Sequence, residues 1–203
     1  MLKLSEQEIA EHRERILAAA MRVFEQHGIA QASMRRIAKE AGVTTGAIYP
    51  HFENKEDAYA QLLHQSLDRL YDAVRSAGGE TDDPADRLRA SAFAFLDYYE
   101  SRLFEYELGL NTFQGLARTG LGKQRDRELN ASLMRVSDIW AARIRSLAPH
   151  LDAESINAER SGLYVHLAGL ITLMATGRLR PIRGQTRPLL DEYLHNLVRR
   201  IGP

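Results

Sequence analysis

Between Ser33 and Lys55 the chain reads SMRRIAKEAGVTTGAIYPHFENK, and its apolar positions recur at helical spacing. Met34, Ile37, Ala38 and Ala41 fall at i, i+3, i+4 and i+7, which predicts a short helix with one apolar face and Ser33 as its N-cap. Arg35, Arg36, Lys39 and Glu40 are left on the outer face. Gly42 stands where the chain must turn, because a residue without Cβ takes positive φ at little cost, and Val43 plugs the angle that follows. Thr44 is the expected cap of a second short helix. In it Ala47 and Ile48 look inward with Val43 and Phe52, while Thr44, Thr45, Gly46, Tyr49 and His51 look outward. Pro50 lacks an amide proton and closes that helix near its last turn.

The pattern downstream is helical throughout. Asn54 and Asp57 open a helix whose stripe of Tyr59, Leu62, Leu63, Leu67, Leu70 and Val74 runs to Ala77, where Gly78 and Gly79 stop it. Asp83 and Pro84 supply the N-cap and first position of the next helix, which is apolar on more than one side from Phe93 to Tyr99. A short helical piece from Leu103 to Thr112 and a glycine-rich stretch, GLARTGLG, precede a long helix carrying Leu129, Leu133, Val136, Trp140, Ile144 and Leu147, ended by Pro149. Two further helices are expected from Ala153 to Gly177 and from Pro188 to Ile201. The fold class is therefore all-α.

Two short helices joined by a glycine turn, with small and hydroxylated residues at the start of the second, meet the demands of helix-turn-helix docking. Such a helix enters a groove about 12 Å wide with its N-terminal residues at base edges. Thr44, Thr45 and Gly46 hold that position, and Tyr49, His51 and Lys55 are placed to bind neighbouring phosphates. A plain helical hairpin with solvated polar faces has the same outline.

The order of residues separates the two readings. The run from Ser33 to Lys55 resembles the DNA-binding signature of the TetR/AcrR family of bacterial transcriptional regulators, and Arg13 to Ala20 followed by Phe24 and Gly28 resembles that family's first helix. The likeness covers about residues 10 to 70. Pro50 stands where many members carry an aromatic or polar residue. The resemblance implies a three-helix helix-turn-helix domain over residues 1–55, followed by a helical-bundle domain for ligand binding and dimerisation over residues 56–203. It implies Ser33, Arg35, Arg36, Thr44, Thr45, Gly46, Tyr49, His51 and Lys55 as DNA-binding residues, with Thr44 to Tyr49 as the recognition helix.

In the last two helices Leu163, Leu167, Leu170 and Met174, then Leu190, Tyr193, Leu194 and Leu197, form stripes that either close the protomer's own core or pair two protomers. The resemblance selects the second, a homodimer whose two heads read an inverted repeat. It also implies a small-molecule effector in the bundle, whose binding weakens the hold on an operator. Aromatic residues with one polar neighbour are the candidates: Phe95, Tyr98, Tyr99, Phe104, Phe113, Trp140 and His166. Plain core packing accounts for the same residues. The expected function is thus a repressor on a double-stranded operator, the alternative being a constitutive or architectural DNA binder with no ligand response.

Composition narrows the alternatives. The 203 residues carry equal numbers of acids and bases, 27 each, so DNA affinity depends on where the cations sit, and Arg35, Arg36, Lys39 and Lys55 give only a small local excess over Glu40 and Glu53. No cysteine is present, which removes disulfides and thiolate metal sites and fits a cytoplasmic setting. The charged N-terminus has no apolar run of a signal peptide, and the apolar run from Leu163 to Thr176 is too short to span a bilayer. No HExxH, GxSxG, P-loop or GxGxxG motif occurs and no two histidines stand at i, i+4, so neither an enzyme, a cofactor nor a metal is expected. Glu105 and Glu107 read as a charged surface pattern, and the basic run from Arg178 through Arg180 and Arg183 to Arg187 reads as a solvated loop.

Overall fold

The computed structural model describes residues 5–111, 121–181 and 184–202. Among these the chain forms eight α-helices and a single-turn 3-10 helix: α1 (Glu6–Gln31), α2 (Met34–Ala41), the 3-10 turn (Thr45–Ala47), α3 (Lys55–Ser76), α4 (Pro84–Glu100), α5 (Leu103–Asn111), α6 (Lys123–Leu147), α7 (Ala153–Ala175) and α8 (Thr186–Ile201). Phe113, Arg183 and the glycine-rich stretch as far as Gly120 lie outside the described residues. The chain divides into two compact units, Met1–Gln65 with Thr112–Leu129 and Ser66–Asn111 with Asn130–Pro203. The N-terminal unit thus takes in the first half of α3, past the boundary expected at residue 55.

Local chemistry explains several helix starts. Ser5 and Glu8 form a capping box at the start of α1, with Ser5 Oγ accepting from the Glu8 amide and the Glu8 carboxylate accepting from the Ser5 amide. Those bonds hold the Glu8 carboxyl below its ordinary pKa. Asn54 Oδ1 accepts from the Asp57 amide at 2.8 Å, and Asp83 Oδ1 from the Ala85 amide at 2.7 Å, with Pro84 in the first turn as its spacing predicts. Asp152 caps α7 in the same way.

The N-terminal unit buries Ile16, Leu17, Ala20, Val23 and Phe24 of α1, Ile37 and Ala38 of α2, Ile48, Phe52, and Ala58, Tyr59, Leu62 and Leu63 of α3. Phe24 meets Tyr59 edge to face at 5.0 Å, and burial pushes the Tyr59 hydroxyl to a pKa well above its usual value. The C-terminal unit has its own core, in which Leu88, Phe95 and Leu96 of α4, Val136, Trp140 and Ile144 of α6, Leu163, Leu167 and Ile171 of α7 and Leu190, Leu194, Leu197 and Ile201 of α8 are buried together. Arg143 of α6 ties the helix ends of this unit: its guanidinium donates to the carbonyls of Val74, Arg75 and Ala77 at 3.2, 3.1 and 2.8 Å and to that of Arg87. A cation over the last carbonyls of α3 also complements the negative end of that helix's dipole.

One expectation is overturned here. Leu163, Leu167, Leu170, Leu190, Leu194 and Leu197 are at most 5 % exposed within a single protomer, so they close its own core and have no surface left for a partner. Met174 and Tyr193, partly exposed, pack against the same core. The face of α7 turned to solvent is a different one: Ala158, Ser161, Val165 and Gly169, spaced by three and four residues, with Val165 68 % exposed. From Ser161 to Thr176 this helix contains no Asp, Glu, Lys or Arg.

Candidate nucleic-acid interface

Ser33 adopts the extended backbone of an N-cap, and its hydroxyl accepts from the Arg36 amide at 3.3 Å. Its oxygen is therefore engaged in starting α2. Gly42 ends that helix in the left-handed region, φ 69° and ψ 31°, with its amide bonded to the carbonyls of Ala38 and Lys39. Any side chain there would be strained, so this turn depends on glycine.

The segment beyond the turn is shorter and tighter than the expected second α-helix. Thr44 has a cap's backbone angles but makes no side-chain cap bond, and only Thr45 to Ala47 form a helical turn, of 3-10 type, closed by Ala47 N–H to Thr44 O at 3.0 Å and Ile48 N–H to Thr45 O at 3.3 Å. Two residues account for this. Gly46 disfavours helix by about 1 kcal/mol relative to alanine. Pro50 has no N–H to offer the Gly46 carbonyl, so a further α-turn cannot close there. Ile48, wholly buried, anchors the segment, and the His51 and Phe52 amides both bond to its carbonyl.

What remains outward is a connected polar surface. Arg35, Arg36, Lys39, Thr44 and Gly46 are exposed, Thr45 is half-buried, and Tyr49 is 56 % exposed although it is a large aromatic side chain. Arg35, Arg36 and Lys39 have no ion-pair partner among the described residues, whereas Glu40 is taken up by Arg22 of α1 at 2.6 Å. The result is a locally cationic face on a chain of zero net charge.

Lys55 is placed differently from its expected role as a phosphate contact. Gly28 breaks α1 with φ 66°, and the Lys55 ammonium donates to the freed carbonyls of Ile29, Ala30 and Ala32 at 2.7, 3.4 and 3.1 Å. An ammonium has three N–H groups, and here all of them are used inside the chain to fix the α1–α2 junction. His51 is also engaged: its Nε2 lies 3.0 Å from His12 Nδ1 on α1. Nothing in the sequence pattern pairs residues 39 positions apart, and His12 is not among the expected site residues.

The candidate effector residues of the C-terminal unit come together in part. Phe95 meets Trp140 and Tyr99 edge to face, each at 5.2 Å, and Tyr98 meets Tyr99 at 5.2 Å. Phe104 is half-buried, and His166 is stacked on Tyr193 of α8 at 4.2 Å. The Trp140 indole N–H and His166 Nε2 are buried with no hydrogen-bond partner. Glu105 departs from the surface role expected of it: its side chain is 11 % exposed and accepts from the Tyr98 hydroxyl at 2.6 Å and from Arg69 at 3.1 Å. Burial alone raises its pKa, but the hydrogen bonds from Ser66 and Tyr98 and the Arg69 charge outweigh it and hold the carboxyl below the usual range. Tyr106 donates to the Ala168 carbonyl at 2.9 Å, a contact with no sequence signal.

Comparison with known proteins bears on the first of these two sites. A family profile described as bacterial regulatory proteins, tetR family, matches residues 16–62. The HTH-type transcriptional activator FasR of Mycolicibacterium smegmatis is 39% identical over 98 residues, 48% of this chain and 45% of that protein. The HTH-type transcriptional regulator AcrR of Shigella flexneri is 45% identical over 66 residues, 32% of this chain and 31% of that protein. A protein of Escherichia coli K12 named probable acrEF/envCD operon repressor is 36% identical over 100 residues, 48% of this chain and 45% of that protein. The chain thus spans less than half the length of these relatives. Among solved structures, the TetR family transcriptional regulator PfmR from Thermus thermophilus covers 98% of this chain and 97% of its own at TM-score 0.69 and 21% identity. The fatty acid degradation regulator FadR from Bacillus halodurans covers 97% of both at TM-score 0.66 and 21% identity, a likeness of fold along the whole chain. The family match over residues 16–62 lies across the Ser33–Phe52 turn, so this N-terminal part of the chain is what is similar to the tetR family of bacterial regulatory proteins.

Proposed function

We propose that this chain is a cytoplasmic, DNA-binding transcriptional regulator that occupies a palindromic operator as a homodimer, represses from it, and is released by a small molecule bound in the C-terminal unit. The observation that carries the DNA reading is the exposed Thr44–Tyr49 segment, held by a glycine turn and a buried Ile48 and flanked by the unpaired cations Arg35, Arg36 and Lys39. Unpaired cations contribute sequence-independent phosphate binding, while a hydroxyl at the start of the recognition segment can reach a base edge. Matched relatives are named as repressors and as an activator. One binding head serves either outcome, since its sign depends on where the operator lies.

Support for pairing comes from the uncharged, solvent-facing side of α7 around Val165, and not from the buried leucine stripes. A helix face that is apolar, small-residued and open to water in one protomer suits close approach to a copy of itself. Support for an effector comes from Trp140, whose buried N–H lacks an acceptor inside a cluster of aromatic rings; a ligand carrying a carbonyl or carboxylate oxygen supplies one. Coupling of about 1–3 kcal/mol between that site and the DNA-binding state changes operator affinity about 5- to 150-fold. No helix among the described residues is long and apolar enough to cross a membrane.

Two substitutions test the division of labour on the DNA surface. Tyr49→Ala is expected to weaken binding to all operator variants alike, as a lost phosphate contact does, and Thr45→Ala to change the preference among them. Affinities from fluorescence anisotropy at fixed salt distinguish the two, and a uniform loss for Thr45→Ala would remove it as a base contact.

A further inference from the structure

His12 and His51 face one another across the N-terminal unit, one on the long helix α1 and the other in the turn that ends the recognition segment. His12 Nδ1 and His51 Nε2 are 3.0 Å apart, with the two rings at 5.0 Å and 64°. At that distance the nitrogens share a hydrogen, so one ring donates and the other accepts. The remaining His51 nitrogen, Nδ1, has no hydrogen-bond partner among the described residues. This ring lies two residues from the exposed Tyr49, on the segment assigned above to backbone contact.

We propose that His12 and His51 form a proton-linked phosphate clamp, in which DNA binding places a proton on His51 while His12 keeps that ring oriented by accepting its Nε2–H. The inference rests on the DNA reading of the N-terminal unit and adds to it a regulation by pH. The proton balance is simple. In the free protein the neutral pair holds one shared hydrogen. When a phosphate oxygen arrives beside Nδ1, a proton from solvent is taken up there, so His51 becomes an imidazolium that donates Nε2–H to His12 and Nδ1–H to the phosphate. Both new contacts are then charge-assisted. His12 is a positioning residue that must stay neutral to accept.

The surroundings disfavour that proton until DNA supplies a counter-charge. Burial lowers the His51 pKa, and positive charge on either basic neighbour from α1, His12 or Arg13, lowers it further. The Arg13 guanidinium lies 5.3 Å over the neighbouring Phe52 ring. The acids nearest in sequence are occupied: Glu53 by Arg125, Glu11 by the Gln7 amide and Glu14 by the Gln65 amide. His51 therefore protonates below the ordinary histidine value in free protein, so acid alone strains this contact, and protonation lowers stability as pH falls below about 6.5. A bound phosphate pulls the value back up, and proton uptake is largest between the free and the bound values.

The experiment measures affinity for a random-sequence duplex of about 30 base pairs at low fixed salt from pH 5.5 to 8.5, since phosphate contacts do not depend on sequence. For the full chain, the association constant is expected to rise as pH falls from 8, approaching about tenfold per pH unit per head, and to level off below the free-state value. His51→Gln is expected to remove that component of the slope. His12→Gln retains a hydrogen-bonding partner that can never take a positive charge, so the free His51 titrates higher and the steep region moves to higher pH; NMR of the imidazole nitrogens follows the same shift without DNA. Identical slopes for the full chain and His51→Gln, or an unmoved His51 titration in His12→Gln, would overturn the clamp while leaving DNA binding intact. Absence of binding at every pH would instead remove the DNA reading, and the clamp with it.

Discussion

Trp140→Ala is expected to destabilise the C-terminal unit by about 3–5 kcal/mol, the usual loss when a large buried aromatic side chain is truncated. The Trp140 ring is fully buried at the centre of that core and meets Phe95 edge to face at 5.2 Å, so removing it leaves a space that the surrounding helices fill only in part. Trp140→Phe is expected to cost much less, about 1–2 kcal/mol. Phenylalanine keeps an aromatic ring against Phe95, and it removes an indole N–H whose burial without an acceptor itself costs about 1–3 kcal/mol. Urea unfolding followed by far-UV circular dichroism checks both, since this is the only tryptophan and its fluorescence is lost with it. Equal losses for the two variants would show that an aromatic ring against Phe95 recovers none of the packing. The same pair bears on the effector: a ligand that accepts from the indole gains stabilisation in the native protein and loses it in Trp140→Phe, although the aromatic lining survives.

Val165→Glu is expected to leave the protomer folded and to convert a dimer into monomers. Val165 is 68 % exposed, so the substitution disturbs little within one chain, and surface changes of this kind usually alter stability by about 0.5 kcal/mol or less. In the proposed pairing through this face, the substitution adds a carboxylate from each protomer to a surface whose exposed positions, Ala158, Ser161, Val165 and Gly169, carry no charge. Loss of the second head removes the effective-concentration gain of a linked pair, and affinity for an inverted repeat is expected to fall about 100-fold or more. Light scattering after size exclusion reads the mass, and anisotropy reads the affinity. A dimer that persists with unchanged affinity would move the pairing surface off α7. Leu194→Glu makes the contrast: Leu194 is wholly buried, so that variant is expected to unfold the unit before dimerisation can be asked about.

The contrast between these two residues shows where sequence reading ends. Helix periodicity identifies Leu163, Leu167, Leu190 and Leu194 as a buried face, because burial is encoded in spacing. It does not encode which body covers that face, and the protomer's own α4, α6, α7 and α8 cover it. Local signals are legible for local reasons: Ser33, Gly42, Asn54 and Asp83 act on atoms within a few residues of themselves. Pro50 and Gly46 together shorten the segment after the turn to a single 3-10 turn, an outcome available from their backbone chemistry but concealed by the second helix that the resemblance implies. Lys55, Arg143 and His12 depend on partners that are backbone carbonyls or one distant ring. Backbone acceptors have no residue identity, and a pairing across 39 positions leaves no periodic trace. Glu105 shows the same gap in reverse, since a carboxylate in a charged run is buried once Tyr98 and Arg69 enclose it.

Whether the Ser33–Phe52 turn reads DNA as one of a pair is decided by selecting bound duplexes from a random pool with the purified chain at stated salt. Enrichment of an inverted repeat whose half-site centres lie about one helical turn or more apart is expected, as two symmetric heads require. Recovery of a pool with no consensus, or of a single half-site without its inverted copy, would contradict it.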